Sequence, residues 1–140
     1  MSAATDMTTA NRLTMEALEI IADTATNTDT RTRILANLLT EHGVPKLRTQ
    51  KGTVALALMR GEREERPAHL FGHLAIHKSE GAYAVTHRAT GLRVIRCRTL
   101  AAARVAMATL VACCDWSFTA KDDAPPQAGR ICNALRRIVS

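Results

Sequence analysis

Three short runs of apolar and β-branched residues lie close together in the middle of the chain, separated by two glycines. The runs cover Leu70 to Lys78, Ala82 to Arg88 and Leu92 to Arg98, and the glycines are Gly81 and Gly91. Short strands joined by turns of this length are typical of an antiparallel meander. The pattern therefore predicts three consecutive antiparallel strands.

A long apolar stretch follows the third run. From Leu100 to Cys114 the only charged residue is Arg104, and Thr99 lies where a helix N-cap belongs. A helix that is apolar nearly all round must be buried on more than one side. We therefore predict a long helix that packs on one face of the sheet.

The turns predict which face of the meander this helix covers. If residues 89–91 form a turn with a G1 bulge, Arg88 opposes Leu92 and Val85 opposes Ile95. The alternative two-residue turn would place Arg96 and Arg98 beneath the helix, where burying an unpaired guanidinium costs free energy of folding. We take the register with the G1 bulge, and a turn at residues 80–81 extends it to the first strand. It puts Leu74, Ile76, Tyr83, Val85, Ile95 and Cys97 on the inner face, and Thr86, Arg88, Arg96 and Arg98 on the outer face.

Helical periodicity flanks the meander on both sides. The first helix has an N-cap candidate at Asn11, and the second begins at Thr28 or Asp29 and ends at Gly43. The last begins at Pro126, because proline is tolerated in the first helical turn. Their apolar stripes are Leu13, Ala17, Ile20 and Ile21, then Ile34, Leu35, Leu38 and Leu39, and finally Ala128, Ile131, Leu135 and Ile138.

Residues 45–60 fit more than one structure. Periodicity does not decide whether the apolar run Thr53 to Met59 is a buried strand or a short helix. As a helix it would complete a helix-turn-helix outline around Gly43. That second helix would offer Val, Leu and Met to a DNA groove, so two packed helices are preferred over a DNA-reading motif. Residues 61–67 are predicted to be a mixed-charge connector.

Together these elements predict an α+β fold. It has N-terminal helices, a three-stranded antiparallel meander, a long apolar helix on one sheet face and a C-terminal amphipathic helix. Residues 1–66 form a helical N-terminal part, and residues 67–140 form the meander-helix core with the last helix, in one compact unit. A chain of 140 residues can bury about two thirds of its unfolded surface.

The hairpin and the helix after it resemble a known module. The stretch Tyr83 to Leu92, followed by a strand, Arg98 and Thr99, an alanine-rich helix, and Asp115 with Trp116, is similar to small uncharacterised proteins of actinobacterial phages and mobile elements. The resemblance covers about a third of the chain. It implies a mobile-element setting and supplies no catalytic residue.

The order helix, three strands, helix also resembles double-stranded-RNA-binding domains. Their second helix begins with a lysine-rich turn, whereas the run Leu100 to Arg104 here holds one basic residue.

Basic residues are concentrated in the middle of the chain. The net charge is +6, yet residues 1–30 carry one Arg against five acids, and residues 31–110 carry fourteen Lys and Arg against five acids. Such a distribution suits a phosphate backbone or an acidic protein surface. The candidate binding residues are Arg88, Arg96 and Arg98 on the sheet, Lys46, Arg48 and Lys51 near the second helix, and Arg130, Arg136 and Arg137 on the last helix.

The histidines do not predict a metal site. His69, His73 and His77 would be about 13 Å apart from neighbour to neighbour on a strand, too far to share an ion. On a helix His73 and His77 could bind together, but a third ligand is missing. We expect no metal and no cofactor. The five histidines, His42, His69, His73, His77 and His87, are expected to be partly exposed and to gain charge as the pH falls.

The remaining chemistry predicts a protein without catalysis. Cys97, Cys113, Cys114 and Cys132 show no metal or disulfide spacing and lie in apolar runs, so we expect buried, reduced and unreactive thiols. The chain contains no phosphate-binding glycine loop, no nucleophile elbow and no paired carboxylates in an apolar setting. We therefore predict that it is not an enzyme.

The leading hypothesis is a non-catalytic binding protein of a phage or mobile element that engages nucleic acid or a nucleoprotein complex through a basic surface. The alternative is an inhibitor or adaptor, for example an anti-CRISPR-like protein, that binds a host defence protein without nucleic acid. The first residues lack the features of a secretion signal, and apolar runs long enough for a membrane span are absent. We expect a cytoplasmic location, and the sequence does not predict the oligomeric state.

Overall fold

The computed structural model describes residues 15–24 and 27–140, which form four α-helices and one five-stranded antiparallel sheet. The α-helices are α1 (residues 15–23), α2 (Thr28–Glu41), α3 (Leu100–Cys113) and α4 (Pro126–Val139), and the strands are β1 (Gln50–Ala57), β2 (Arg63–Phe71), β3 (Leu74–Ser79), β4 (Ala82–His87) and β5 (Arg93–Cys97). The strands lie in the sheet in chain order. The predicted α+β class is confirmed, and the predicted count of three strands is wrong.

The two additional strands lie in residues 50–71, where the sequence left open a strand or a short helix at Thr53 to Met59 and predicted a connector at residues 61–67. The run Thr53 to Met59 begins in β1, so neither the helix-turn-helix nor the pair of packed helices is present. A turn at Gly72 and His73 divides the predicted first strand, and its residues fall in β2 and β3. Pro67 is tolerated in β2 because β3 pairs with that strand only over its last three residues.

The helices cover one face of the sheet, as predicted. Val85 opposes Ile95 and Tyr83 opposes Cys97, so the predicted register is confirmed in this part of the hairpin. The register then shifts by one residue, and Val94 and Ile95 are both buried in the main core. Because of this bulge the backbone N–H of His87 donates to the carbonyl of Leu92 (2.9 Å). The predicted pairing of Arg88 with Leu92 is therefore wrong.

The other face of the sheet is also covered, contrary to the prediction. Ala75, Ala84 and Thr86 point away from the helices, yet they are almost completely buried. The hairpin of β1 and β2 separates from β3 before residue 69 and lies over this face. Its apolar side chains form a second, smaller core with Ala75, made of Val54, Leu56, Ala68 and Leu70.

Gly91 lets the end of this hairpin reach the turn between β4 and β5. The N–H of Ala57 donates to the carbonyl of Gly91 (2.9 Å). A Cβ atom at Gly91 would lie 2.6 Å from the carbonyl oxygen of Ala55 and 2.7 Å from the nitrogen of Ala57. The residue also has a φ of 71°, which only glycine adopts without strain. The close approach of β1 therefore requires glycine here.

The ends of the helices follow the local sequence signals. The Thr99 hydroxyl accepts from the N–H of Ala102 (3.1 Å), so the predicted N-cap of α3 is confirmed. Eight of the fourteen residues of α3 are buried, which confirms burial on several sides. Pro126 begins α4, and the predicted stripe of α4 is buried.

The first helix differs more from its prediction. Leu18 is buried, whereas Ile20 of the predicted stripe is 69% exposed. The predicted N-cap Asn11 and Leu13 lie outside the described residues. Within the described part of the chain, no helix has the length and apolar character needed to cross a membrane.

Candidate nucleic-acid interface

The predicted arginine surface on the sheet is not assembled. The guanidinium of Arg88 donates to the carbonyl of Gly72 (2.8 Å), and that of Arg96 donates to the carbonyl of Glu80 (3.2 Å). Arg96 opposes Ala84, which lies four residues from Arg88, so the two arginines are about 13 Å apart along the sheet. Both bind the backbone of turns at opposite ends of β4, and the face between them is buried.

The third arginine of that set lies on a different surface. Arg98 lines the first two of three adjoining cavities, of about 620, 260 and 460 Å³, of which the second and third lie between α2 and α3. The first two cavities share Asp29 and Arg98, and the last two share Ala36 and Val105. We call this continuous surface the α2–α3 groove. Its charged lining side chains are Arg96 and Arg98 at one end, Asp29 and Arg33 along α2, and Arg104 and Lys46 at the other end.

Four exposed cations follow the groove: Arg98, Arg33, Arg104 and Lys46. Within the described part of the chain none of the four side chains makes a hydrogen bond or an ion pair. The stretch of α2 from Asp29 to Thr40 that lines the groove is about 17 Å long at the rise of an α-helix. The groove thus presents a row of uncommitted positive charge.

The first turns of α2 and α3 lie at the Arg98 end. Thr28 of α2 and Thr99, the N-cap of α3, line the same cavity as Arg98. The positive ends of the two helix dipoles therefore face this end of the groove. Asp29, in the first turn of α2, offsets part of that charge.

The sequence pattern missed Arg33 and Arg104. Arg104 is the only charge on an apolar helix, which indicates that it faces solvent, and Arg33 lies off the buried Leu35 and Leu39 side of α2. Both signals were present in the sequence. The packing of α2 beside α3 brings these side chains to the groove that Arg98 and Lys46 also line.

The remaining predicted basic residues lie elsewhere. Arg48 is exposed on the connector between α2 and β1, and Lys51 is exposed on β1, but neither lines the groove cavities. Arg130, Arg136 and Arg137 are exposed on α4. Two of these form local contacts, because Arg136 donates to Asn133 and Arg137 pairs with Asp23.

Two of the five histidines are buried, contrary to the expectation of partial exposure. His77 has Nδ1 3.0 Å from the carbonyl of Lys78, so Nδ1 donates, and Nε2, 2.7 Å from the Thr86 hydroxyl, can accept. His87 has Nε2 2.8 Å from the carbonyl of Trp116 and donates to it. These hydrogen bonds satisfy both rings inside the protein, which favours a structural role.

The series of histidines does not lie on one strand. His73 is in the turn after β2, His69 is in β2 and His77 is in β3. In the described ranges no group of three His, Cys, Asp or Glu side chains is arranged to hold a metal ion.

The thiols are buried, as expected. Cys97, Cys113 and Cys132 are buried, Cys114 is half-buried, and none of these four described residues is in a disulfide. Burial raises the pKa of Cys97 to about 12, and burial together with the neighbouring Cys113 raises the pKa of Cys114 to about 11. Burial also raises the pKa of Cys132. These three thiols are protonated at neutral pH, which makes them poor nucleophiles.

No family model, no curated protein and no solved structure matches this chain. The resemblance to a phage and mobile-element module therefore stays a prediction.

Proposed function

We propose that this is a non-catalytic binding protein that holds the phosphate backbone of nucleic acid, free or in a nucleoprotein complex, in the α2–α3 groove. The observation that carries the proposal is the set of four exposed cations with uncommitted side chains in a groove whose α2 wall is about 17 Å long. About five phosphates of one strand fit this length at a rise of about 3.4 Å. A phage or mobile-element setting, implied by the sequence resemblance, remains part of the proposal.

The groove is suited to the backbone rather than to the bases. Its floor between the cations consists of small or aliphatic side chains, Ala36, Ala101 and Val105. Among the described residues that line it, none is aromatic, so a stacking platform for bases is missing. We therefore expect binding with little sequence preference.

Charge reversal at two matched pairs of positions tests the proposal. Arg33→Glu with Arg98→Glu changes the groove, and Arg130→Glu with Arg136→Glu makes the same change in net charge on α4. Fluorescence anisotropy with a labelled DNA duplex and a labelled single strand would measure affinity between about 50 and 200 mM salt. Four contacts give slopes of log K against log salt of up to about −3.6 for the duplex and −2.8 for the single strand.

The groove pair should weaken binding strongly and flatten the slope by about two contacts, whereas the α4 pair should change both quantities little. Equal losses in the two variants would mean that net charge alone attracts the nucleic acid. Absence of binding by the unmodified protein at about 50 mM salt would also contradict the proposal.

A second candidate is an inhibitor or adaptor that binds a protein target without nucleic acid. Exposed apolar side chains favour it, since Met59 at the tip of the β1–β2 hairpin is 86% exposed and Ile20 is 69% exposed. Such a protein would bind its target with weak salt dependence, and the α2–α3 groove variants would leave that binding unchanged.

A further inference from the structure

The Lys46 end of the α2–α3 groove widens into an apolar pocket of about 460 Å³. We call it the connector pocket, because the chain between α2 and β1 forms one wall and α3 forms the other. Its apolar lining includes Leu39, Val44, Leu47, Val105, Met107 and Ala108. A volume of this size is within the usual range for ligand pockets.

The chain around the end of α2 holds this wall in place. Gly43 donates to the carbonyl of Thr40 (3.0 Å) and Val44 donates to the carbonyl of Leu39 (2.9 Å). These two bonds, with Gly43 at a φ of 75°, form a Schellman motif. They fix the wall of the pocket as far as Val44, and a fixed wall lowers the entropy cost of binding.

The chemistry of the pocket differs from that of the rest of the groove. Phosphate contacts need cations and donors, and gain nothing from a floor of Leu, Val and Met. Lys46 and Arg104 lie at the rim of the pocket, and among the described residues that line it none is acidic. An apolar group bordered by negative charge is complementary to such a site.

We propose that the connector pocket receives an apolar side chain carried by an acidic protein segment, such as one from the protein part of a nucleoprotein complex. This inference rests on the proposed function, since Lys46 and Arg104 belong to the groove as well. The competing occupant is nucleic acid alone, which would use the rim cations and leave the apolar floor empty.

Two labelled synthetic peptides test the proposal: DEEDLLDEED and its counterpart DEEDAADEED. Both carry the same charge, so the difference between their affinities measures the apolar contact alone. Anisotropy titrations should show the leucine peptide binding at least about tenfold more tightly, as expected for burial of one leucine side chain. Equal affinities would overturn the proposal.

Thr40→Trp fills the pocket from its exposed rim, and Leu47→Ala removes part of its floor. Each variant should reduce the preference for the leucine peptide over the alanine peptide, provided that its melting temperature shows an intact fold. A preference that survives in both variants would place the apolar contact elsewhere and overturn the proposal.

The two probes separate the two proposals. If the protein prefers the leucine peptide but binds no DNA, the proposed function fails and the pocket remains. If it binds DNA and has equal affinity for the two peptides, the proposal for the connector pocket fails and the proposed nucleic-acid site in the groove stands.

Discussion

Replacing Gly91 tests whether contact with the turn between β4 and β5 holds the β1–β2 hairpin over the sheet. Gly81 offers a matched control, because it too has a positive φ, of 79° against 71° for Gly91. A Cβ atom at Gly81 meets nothing within 4 Å, whereas one at Gly91 meets the backbone of Ala55 and Ala57. Gly81→Ala therefore carries the conformational cost alone, and Gly91→Ala carries that cost plus a steric clash.

The two costs can be estimated separately. A left-handed alanine costs about 1 to 2 kcal/mol at either position. At Gly91 the clash must also displace β1 and break the bond from the Ala57 N–H, which adds about 1 to 3 kcal/mol if that amide is left unsatisfied. We expect Gly91→Ala to lower the free energy of unfolding by about 2 to 5 kcal/mol. At about 4 °C per kcal/mol, the melting temperature would fall by roughly 8 to 20 °C.

Urea denaturation followed by circular dichroism would give the two free energies, and hydrogen exchange would locate the effect. In Gly91→Ala the amide of Ala57 should exchange much faster, while the amide of Val85 in the main core should follow global unfolding. If both variants lower the free energy of unfolding equally and the Ala57 amide stays protected from exchange, the position of the hairpin does not depend on its contact with Gly91.

Three further predictions concern the two cores. Ile95→Ala should lower the free energy of unfolding by about 2 to 4 kcal/mol, measured in urea, because it leaves a cavity under the helices. Thr86→Val should cost about 1 to 3 kcal/mol by leaving Nε2 of the buried His77 without its partner, and a melting temperature equal to that of the unmodified protein would contradict this. Burial raises the pKa of Cys97 from 9.0 to about 12. Above about pH 9 the thiol ionises in the unfolded protein before it ionises in the folded one, so the contribution of Cys97 to stability is complete below about pH 9 and is lost as the pH rises towards 12. Unfolding in urea between pH 9 and 11 should therefore show a smaller loss of stability in Cys97→Ala than in the unmodified protein.

Local signals predicted the parts of the fold that depend on neighbouring residues. The N-cap at Thr99, the start of α4 at Pro126 and the pairing of Val85 with Ile95 each follow from a cap, a turn or a cost of burying charge. These features need no information about distant contacts, which is why the sequence was sufficient for them.

The β1–β2 hairpin could not be predicted in the same way. Its first strand contains a short apolar run that fits a strand or a helix equally well, and its second begins with Arg, Glu, Glu, Arg and Pro. Such residues form a strand when a partner strand and a surface to cover are present. That surface, with Ala75 and Thr86, lies on strands that follow later in the chain. Without the hairpin, the sequence wrongly left Thr86 on an open face, although Arg88, Arg96 and Arg98 are exposed as predicted.

The candidate site follows from how the fold uses its arginines. Composition alone makes all the basic residues equivalent, but Arg88 and Arg96 bind turn carbonyls and Arg137 pairs with an acid. A guanidinium committed to the backbone can still attract an anion, but it must give up a contact or share its donors to bind one. Arg33 and Arg98 have no such contact within the described residues, so a phosphate could use all their donors. The order of effect in a charge-reversal series should therefore follow this distinction, with losses at Arg33 and Arg98 exceeding those at Arg88.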